Sequence, residues 1–229
     1  MKETVLKGKN ISFKYGNSII LENCNFAVEQ GDFTVLIGAN GSGKSTLLKI
    51  CLGLLNPYNG EIELFGKPIK EFKDWDKIGY VSQRIDAFNK GFPATVEEVV
   101  KSPLYAKSKF FNRDKKLIDG LTDKALDIVG MQDYNKRLIG RLSVGQQQRV
   151  FIAKALVNNP TMVFMDEPTA GIDNKSEKEF YNLLNELSND KGITIIMVTH
   201  DYTDVKDMVN KVFCLTDGQI AEQCADIPD

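Results

Sequence analysis

Phe33-Thr34-Val35-Leu36-Ile37 runs into Gly38-Ala39-Asn40-Gly41-Ser42-Gly43-Lys44-Ser45-Thr46, and that stretch runs into Leu47-Leu48-Lys49-Ile50-Cys51-Leu52. An apolar run, a glycine-rich loop and a helix-like run fit G-x-x-x-x-G-K-[ST] between a strand and a helix, the phosphate-binding P-loop. Gly38, Gly41 and Gly43 let the backbone turn tightly enough for consecutive N–H groups to point at one anion. The helix that follows presents its positive end to the same anion. Lys44 adds a cation for the outer phosphates, and the Ser45 hydroxyl is of the type that ligates Mg²⁺. A bare turn needs neither the glycines nor a Lys-Ser pair at this offset. The candidate contacts of a nucleoside triphosphate here are therefore Gly38, Asn40, Gly41, Ser42, Gly43, Lys44, Ser45 and Thr46.

The rest of the composition bounds what surrounds that loop. The chain has 229 residues, 42% of them hydrophobic and 26% charged, enough for a sizeable core. With 29 basic and 31 acidic residues the net charge is −2, which gives no general pull towards nucleic acid or anionic lipid. Met1 to Lys7 lacks the apolar centre of a signal peptide, and the longest apolar runs, such as Ile193 to Val198, are too short to cross a bilayer. A cytosolic location is the expectation. Cys24, Cys51, Cys214 and Cys224 form no C-x-x-C pair, and His200 is the only histidine, so a zinc-finger site is excluded and reduced, mostly buried thiols are expected.

Around the loop the patterns alternate between strand and helix. Val5 to Val28 reads as an antiparallel hairpin about the polar turn Tyr15-Gly16-Asn17-Ser18. Gly53 and Asn56-Pro57 stop the helix after Lys44. Short strands follow at Gly60 to Gly66 and at Ile78 to Gln83. From about Arg84 to Asn159 apolar residues recur at helical spacing, which predicts a helical insertion. Thr161 to Met165 and Ile193 to Val198 are continuous enough to be strands buried on both faces, with an amphipathic helix over Glu177 to Leu187 between them. Thr216-Asp217-Gly218 turns a closing hairpin. The expected organisation is a single domain over 1–229 with a helical part, about 84–159, inserted in it.

The buried run of Met162 to Met165 ends in Asp166-Glu167-Pro168. A carboxylate at the end of a buried strand beside a P-loop strand is where the Mg²⁺ of a nucleotide is held, and Glu167 is placed to act as general base on the attacking water. Asp-Glu-Pro also suits the start of a helix, but beside a P-loop that reading loses to the metal and base roles. Leu142-Ser143-Val144-Gly145-Gln146-Gln147-Gln148-Arg149 contains an S-x-x-Q capping box, which starts a helix and leaves a helix N-terminus, itself an anion site.

Taken with the P-loop, Asp166-Glu167 and His200, this last stretch resembles the signature of ATP-binding-cassette (ABC) ATPases, in the family order and over nearly the whole chain. The resemblance implies an α/β fold: an ABC-type P-loop NTPase with a RecA-like parallel-sheet core, an N-terminal antiparallel β-subdomain and an inserted helical subdomain. It implies ATP and Mg²⁺ as cofactors and a second copy of the chain as partner, with Ser143, Gly145 and Gln146 contacting ATP held on that copy. Tyr15 resembles the aromatic that stacks on adenine, Gln83 the glutamine that reaches Mg²⁺ and the water, Asp173 the aspartate that reaches across the dimer, and His200 the histidine on the γ-phosphate. Lys44, Gln83, Glu167 and His200 are thus the catalytic candidates, and Ser45, Gln83 and Asp166 the metal-binding ones. Valine at position 144 stands where the family usually has glycine. As first helical residue after a Ser143 cap it needs only a negative φ, which valine accepts.

The segment from Arg84 to Lys101, with Gly130-Met131 and Lys136-Arg137-Leu138, is similar to the ATPase subunits of zinc and manganese uptake systems, most closely the zinc importers. This implies membrane-spanning permease subunits on which the chain sits at the inner face of the cell membrane. An extracellular metal-binding protein is implied indirectly. One histidine and scattered thiols make no transition-metal cage, so metal selectivity would reside in those partners.

Overall fold

The structure, a computed structural model, describes residues 2–83, 92–106, 114–200 and 202–222. Two sheets form its frame. β1 (Thr4–Tyr15) and β2 (Ser18–Glu29) pair antiparallel about the turn at Gly16-Asn17, as the alternating pattern predicts. β4 (Asn59–Leu64) joins the free side of β1, and the short β5 (Lys67–Pro68) closes that sheet in the order β2-β1-β4-β5.

The second sheet holds β3 (Phe33–Ile37), β6 (Ile78–Val81), β7 (Met162–Asp166), β8 (Thr194–Val198), β9 (Lys211–Thr216) and β10 (Gln219–Glu222). Its order is β10-β9-β3-β8-β7-β6, parallel throughout except for the β9–β10 hairpin. β3, β7 and β8 are buried along their whole length. Their apolar residues divide by the strand period of two. Val163, Met165, Ile195 and Met197 join one apolar cluster, while Met162, Phe164, Ile196 and Val198 join another. The first cluster includes α4 (Val144–Leu156) and α5 (Asn174–Asn189), and the second includes α1 (Lys44–Cys51) and the antiparallel sheet. Both faces being covered, near-continuous apolar strands are what the fold requires.

Within 84–159 the described residues hold α2 (Val96–Ala106), α3 (Lys115–Ile128) and α4. Val96, Val100 and Leu104 of α2 and Leu126 of α3 share the apolar cluster that also covers one face of the main sheet. α2 and α3 pack on each other and on α4, and α4 joins them to β6 of the main sheet. Thr95 and Glu98 cap α2 reciprocally: Glu98 Oε2 accepts from the Thr95 N–H at 2.7 Å, and Thr95 Oγ1 accepts from the Glu98 N–H at 3.4 Å. The segment Arg84 to Gly91, which carries most of the resemblance to metal importers, lies outside the described residues.

The expectation for the thiols needs a correction. Cys24 and Cys51 are free and buried, and burial pushes both thiols up from their ordinary value. Cys214, by contrast, is disulfide-bonded. It lies half-buried on β9 in the last hairpin, where spatial closeness decides bonding and spacing along the chain does not report it. Among the described residues no helix is long and apolar enough to cross a membrane.

Candidate functional site

The P-loop leaves the C-terminal end of β3 and enters α1 through Gly43, whose φ of 104° only glycine adopts readily. Gly43 is the N-cap of α1 and supplies no side chain to it, so the first amides of the helix keep their positive end towards the loop. Gly38 is required for a different reason: a Cβ there would lie 2.3 Å from the Leu215 carbonyl oxygen. Lys44 is buried, at 4% exposure, and its Nζ donates to the carbonyls of Gly38 at 2.8 Å and Ala39 at 3.0 Å. Burial lowers its pKa, and the carboxylates of Glu167 and Asp166 oppose that fall. The buried Ser42 hydroxyl has no hydrogen-bond partner.

Two carboxylates meet this loop from β7. Asp166 ends the strand and accepts from the Ser45 hydroxyl at 2.8 Å. Burial raises the Asp166 carboxyl above its ordinary range, the Ser45 bond offsets part of the rise, and Glu167 adds to it. Glu167 turns the chain sharply, with φ at 44°, and its N–H donates to the Val198 carbonyl at 2.9 Å. Its carboxylate accepts from Gln83 Nε2 at 2.5 Å. Gln83 lies two residues beyond the end of β6, and His200 two beyond the end of β8, whose Val198 pairs with Asp166. All these groups therefore gather at the carboxyl ends of parallel strands, where open α/β sheets bind ligands. Asp166-Glu167-Pro168 does not start a helix; α5 begins at Asn174.

One cleft of about 240 Å³ joins Tyr15, Lys44, Ser45, Thr46 and Glu167. Tyr15 is half exposed and held edge-on by the Phe13 ring at 4.9 Å, so a face remains for a flat ligand. Asn40, Gly41 and Gly43 line the same cleft, as does Ile20, which sequence reading passed over. Its only signal was an apolar residue two places after the hairpin turn.

Ser143, Gly145 and Gln146 are not in that cleft. The capping box is formed as expected: Ser143 Oγ accepts from the Gln146 N–H at 3.3 Å, and Gln146 Oε1 accepts from the Ser143 N–H at 3.1 Å. Val144 is the first residue of α4, its φ is negative, and its side chain is exposed. A Cβ on Gly145 would come within 3.0 Å of Ser176, so the head of α4 lies against the head of α5. Asp173 caps α5 by accepting from the Ser176 N–H at 3.1 Å. The predicted residues thus fall into two groups, one around the P-loop and one where α4 and α5 begin.

A P-loop that meets an Asp-Glu pair at the ends of parallel strands defines a nucleoside triphosphatase of the P-loop class. The second group of residues is what separates one family of that class from the others. A profile described as "ABC transporter" matches residues 21–170. The zinc uptake system ATP-binding protein ZurA of Listeria innocua is 50% identical over 215 residues, covering 92% of this chain and 82% of that protein. The manganese transport system ATP-binding protein MntB of Bacillus subtilis is 39% identical over 212 residues, covering 93% and 83%. Among solved structures, cbiO1 of Clostridium perfringens, part of the ABC transporter complex cbiONQ, superposes with a TM-score of 0.85 at 31% identity, covering 96% of this chain and 88% of that one. The dimeric bacterial cassette MJ0796 follows at 0.81 and 32%, covering 95% and 97%. The chain belongs to the ABC transporter family and is one of its ATP-hydrolysing cassettes.

Proposed function

We propose that the chain energises import of a divalent transition metal, zinc in the first place, through separate membrane-spanning permease subunits. It works at the cytoplasmic face of the membrane as a pair of copies sandwiching ATP, with an extracellular metal-binding protein feeding the permease. The observation that carries the paired arrangement is the division just described. Tyr15, the P-loop and Glu167 share a cleft, while Ser143, Gly145 and Gln146 stand at another edge, against Ser176. A second copy of the chain brings the missing half. The identity of 50% to a zinc uptake subunit, against 39% to a manganese one, favours zinc.

In this reading Tyr15 stacks on adenine, and the loop from Gly38 to Thr46 holds the phosphates with its amides and with Lys44. Ser45, Asp166 and Gln83 hold Mg²⁺. The donor set fits, because two oxygens of the hard type that magnesium prefers already lie 2.8 Å apart at Ser45 and Asp166. When bound, the ion neutralises charge on the transferring phosphoryl group. Glu167 accepts a proton from water as the water oxygen bonds to the γ-phosphorus and the bond to the ADP oxygen breaks. Gln83 and His200 orient that water. Ser143, Gly145 and Gln146 contact the γ-phosphate on the facing copy, and Asp173, fixed at the head of α5, reaches across the interface. Most of the acceleration is electrostatic positioning. The whole of 1–229 acts as one ATPase domain, with the helical stretch inserted in it meeting the permease.

Glu167→Gln keeps the shape of the site and removes the base. Incubated with MgATP, this variant should run as a dimer by size exclusion, whereas the wild type returns to its starting state as ATP is consumed. A variant that binds ATP and stays monomeric refutes the sandwich. Cells lacking the gene should lose growth under zinc limitation and regain it with added zinc; rescue by manganese alone would move the cargo to manganese.

A further inference from the structure

The turn from Glu167 to Asp173 joins the general base to the head of α5, and its backbone is not relaxed. Glu167 occupies the left-handed region, which a non-glycine residue holds only where its surroundings over-determine it. Upstream, the Glu167 N–H is tied to Val198. Downstream, the turn's own backbone bonds are long or local: Ala170 N–H to Glu167 at 3.4 Å and Ile172 N–H to Thr169 at 3.1 Å. The hydrogen bond that ties its middle to α5 comes from a side chain, Thr169, whose Oγ1 lies 3.2 Å from the Tyr181 hydroxyl.

Tyr181 sits two turns into α5 and is buried, at 4% exposure. Its hydroxyl donates to Glu177 Oε1 at 3.0 Å, the residue one helical turn earlier on the same face. A phenol has one proton to give. Because that proton goes to Glu177, the Thr169 hydroxyl must be the donor to Tyr181, and the three groups form a directed chain, Thr169 to Tyr181 to Glu177. Burial pushes the phenol up from its ordinary value, and the charges of Glu177 and Asp204 push the same way, so the proton stays on oxygen. Asp204 belongs to the short turn just after His200. The hydroxyl therefore stands where the turn after Glu167, the first turns of α5 and the segment after His200 converge. Filling the space would need only a phenylalanine, as at the adjacent buried Phe180. A buried hydroxyl is costly unless bonded, so the oxygen calls for a reason beyond packing.

We propose that Tyr181 is a positioning residue for hydrolysis: through Thr169 its hydroxyl holds the 167–173 turn, and hence the Glu167 carboxylate, in the geometry that activates water. It touches neither ATP nor the attacking water. This rests on the assignment of Glu167 as general base.

The test compares Tyr181→Phe, Thr169→Val, the double variant and Thr169→Ser, with Glu167→Gln as reference, using kcat and KM for ATP, ATP affinity and thermal midpoint of the purified chain. Removal of one well-placed hydrogen bond translates to a loss of about three- to tenfold in kcat. Tyr181→Phe and Thr169→Val should each show that loss with KM and ATP affinity unchanged. The double variant should be no worse than either single one, since both cut the same link. Thr169→Ser, which keeps the hydroxyl, should retain turnover. Unchanged kcat in Tyr181→Phe, multiplied losses in the double variant, or a parallel loss of ATP affinity overturns the proposal. Turnover that persists in Glu167→Gln overturns the base assignment and this inference with it. Turnover lost there but intact in Tyr181→Phe overturns this inference alone.

Discussion

Two glycines of the P-loop, Gly41 and Gly43, look equivalent in the sequence and should behave differently when each is replaced by alanine. Both have positive φ, 81° and 104°, so each alanine carries a backbone penalty of about 1–2 kcal/mol. At Gly41 nothing lies within 4 Å of the added Cβ, and that penalty is the whole cost. At Gly43 the Cβ would fall 2.9 Å from Ile20 Cγ2, 3.1 Å from Leu21 Cδ2 and 3.3 Å from the Ile20 carbonyl oxygen. Overpacking of that kind adds about 1–3 kcal/mol. For a chain of this size about 1 kcal/mol corresponds to roughly 2–4 °C in Tm. Gly41→Ala should therefore lower Tm by about 2–8 °C, and Gly43→Ala by about 4–20 °C.

Ile20 also walls the nucleotide cleft, so only Gly43→Ala should displace that wall and weaken ATP binding before phosphate contacts are considered. Thermal unfolding with and without MgATP reads both effects. The decisive arm is a double-mutant cycle with Ile20→Ala, which removes the Cγ2 atom: the penalty of Gly43→Ala should shrink in that background, while that of Gly41→Ala should not. Equal penalties for the two alanines, or a Gly43→Ala penalty indifferent to Ile20, would refute the packing of β2 against the loop.

Ser143→Ala removes the acceptor that caps α4 and should cost about 1 kcal/mol, roughly 2–4 °C in Tm. ATP binding to the isolated chain should be unchanged, because Ser143 is not in the chain's own cleft, while ATP-driven dimerisation is lost; a fall in the monomer's ATP affinity would count against this geometry. Asp166→Asn tests the electrostatics of the carboxylate. Burial raises the folded-state pKa of Asp166 above the ordinary 3.8, so the folded chain binds the extra proton more readily than the unfolded one. The group's contribution to stability is thus most favourable below 3.8 and is lost as pH rises through the raised value. At pH 7 the asparagine variant, free of the buried charge and still able to accept from Ser45, should be the more stable of the two in urea unfolding. That advantage should shrink as pH falls towards 4, and a variant less stable than wild type at pH 7 would contradict it.

What the sequence revealed follows from where the physics is local. β3, β7 and β8 were visible because strands covered on both faces must be apolar throughout, and the α4 cap because a capping box is written in four consecutive residues. The left-handed backbone that opens the turn after β7 was not. Asp-Glu-Pro suits the first turn of a helix by composition, yet Glu167 takes a left-handed backbone and α5 waits for Asp173 to cap it. The reason is a bond from the Glu167 N–H to Val198, a strand distant in sequence. The Thr169–Tyr181 link and the disulfide state of Cys214 were hidden for the same reason: each depends on which residues the topology brings together.

The site chemistry carries a similar lesson about binding. Several of the strongly polar groups assigned to the phosphates, the ion or the water already have a partner within the chain, Lys44 on two loop carbonyls, Ser45 on Asp166 and Gln83 on Glu167, whereas the buried Ser42 hydroxyl has none. MgATP must exchange these bonds for its own, so the gain per contact is the difference between two hydrogen bonds, of order 1 kcal/mol, and not the strength of one. Beyond that exchange a single copy offers the N-terminus of α1, which no side chain caps. A second helix N-terminus lies at the head of α4, outside the P-loop cleft, with the Ser143 and Gln146 N–H groups already held by the capping box. In the proposed sandwich, tight closure on ATP depends on bringing that second edge to the γ-phosphate from another copy. In that arrangement hydrolysis, by removing the γ-phosphate, would remove the group that both edges hold and so couple the chemistry to opening of the pair.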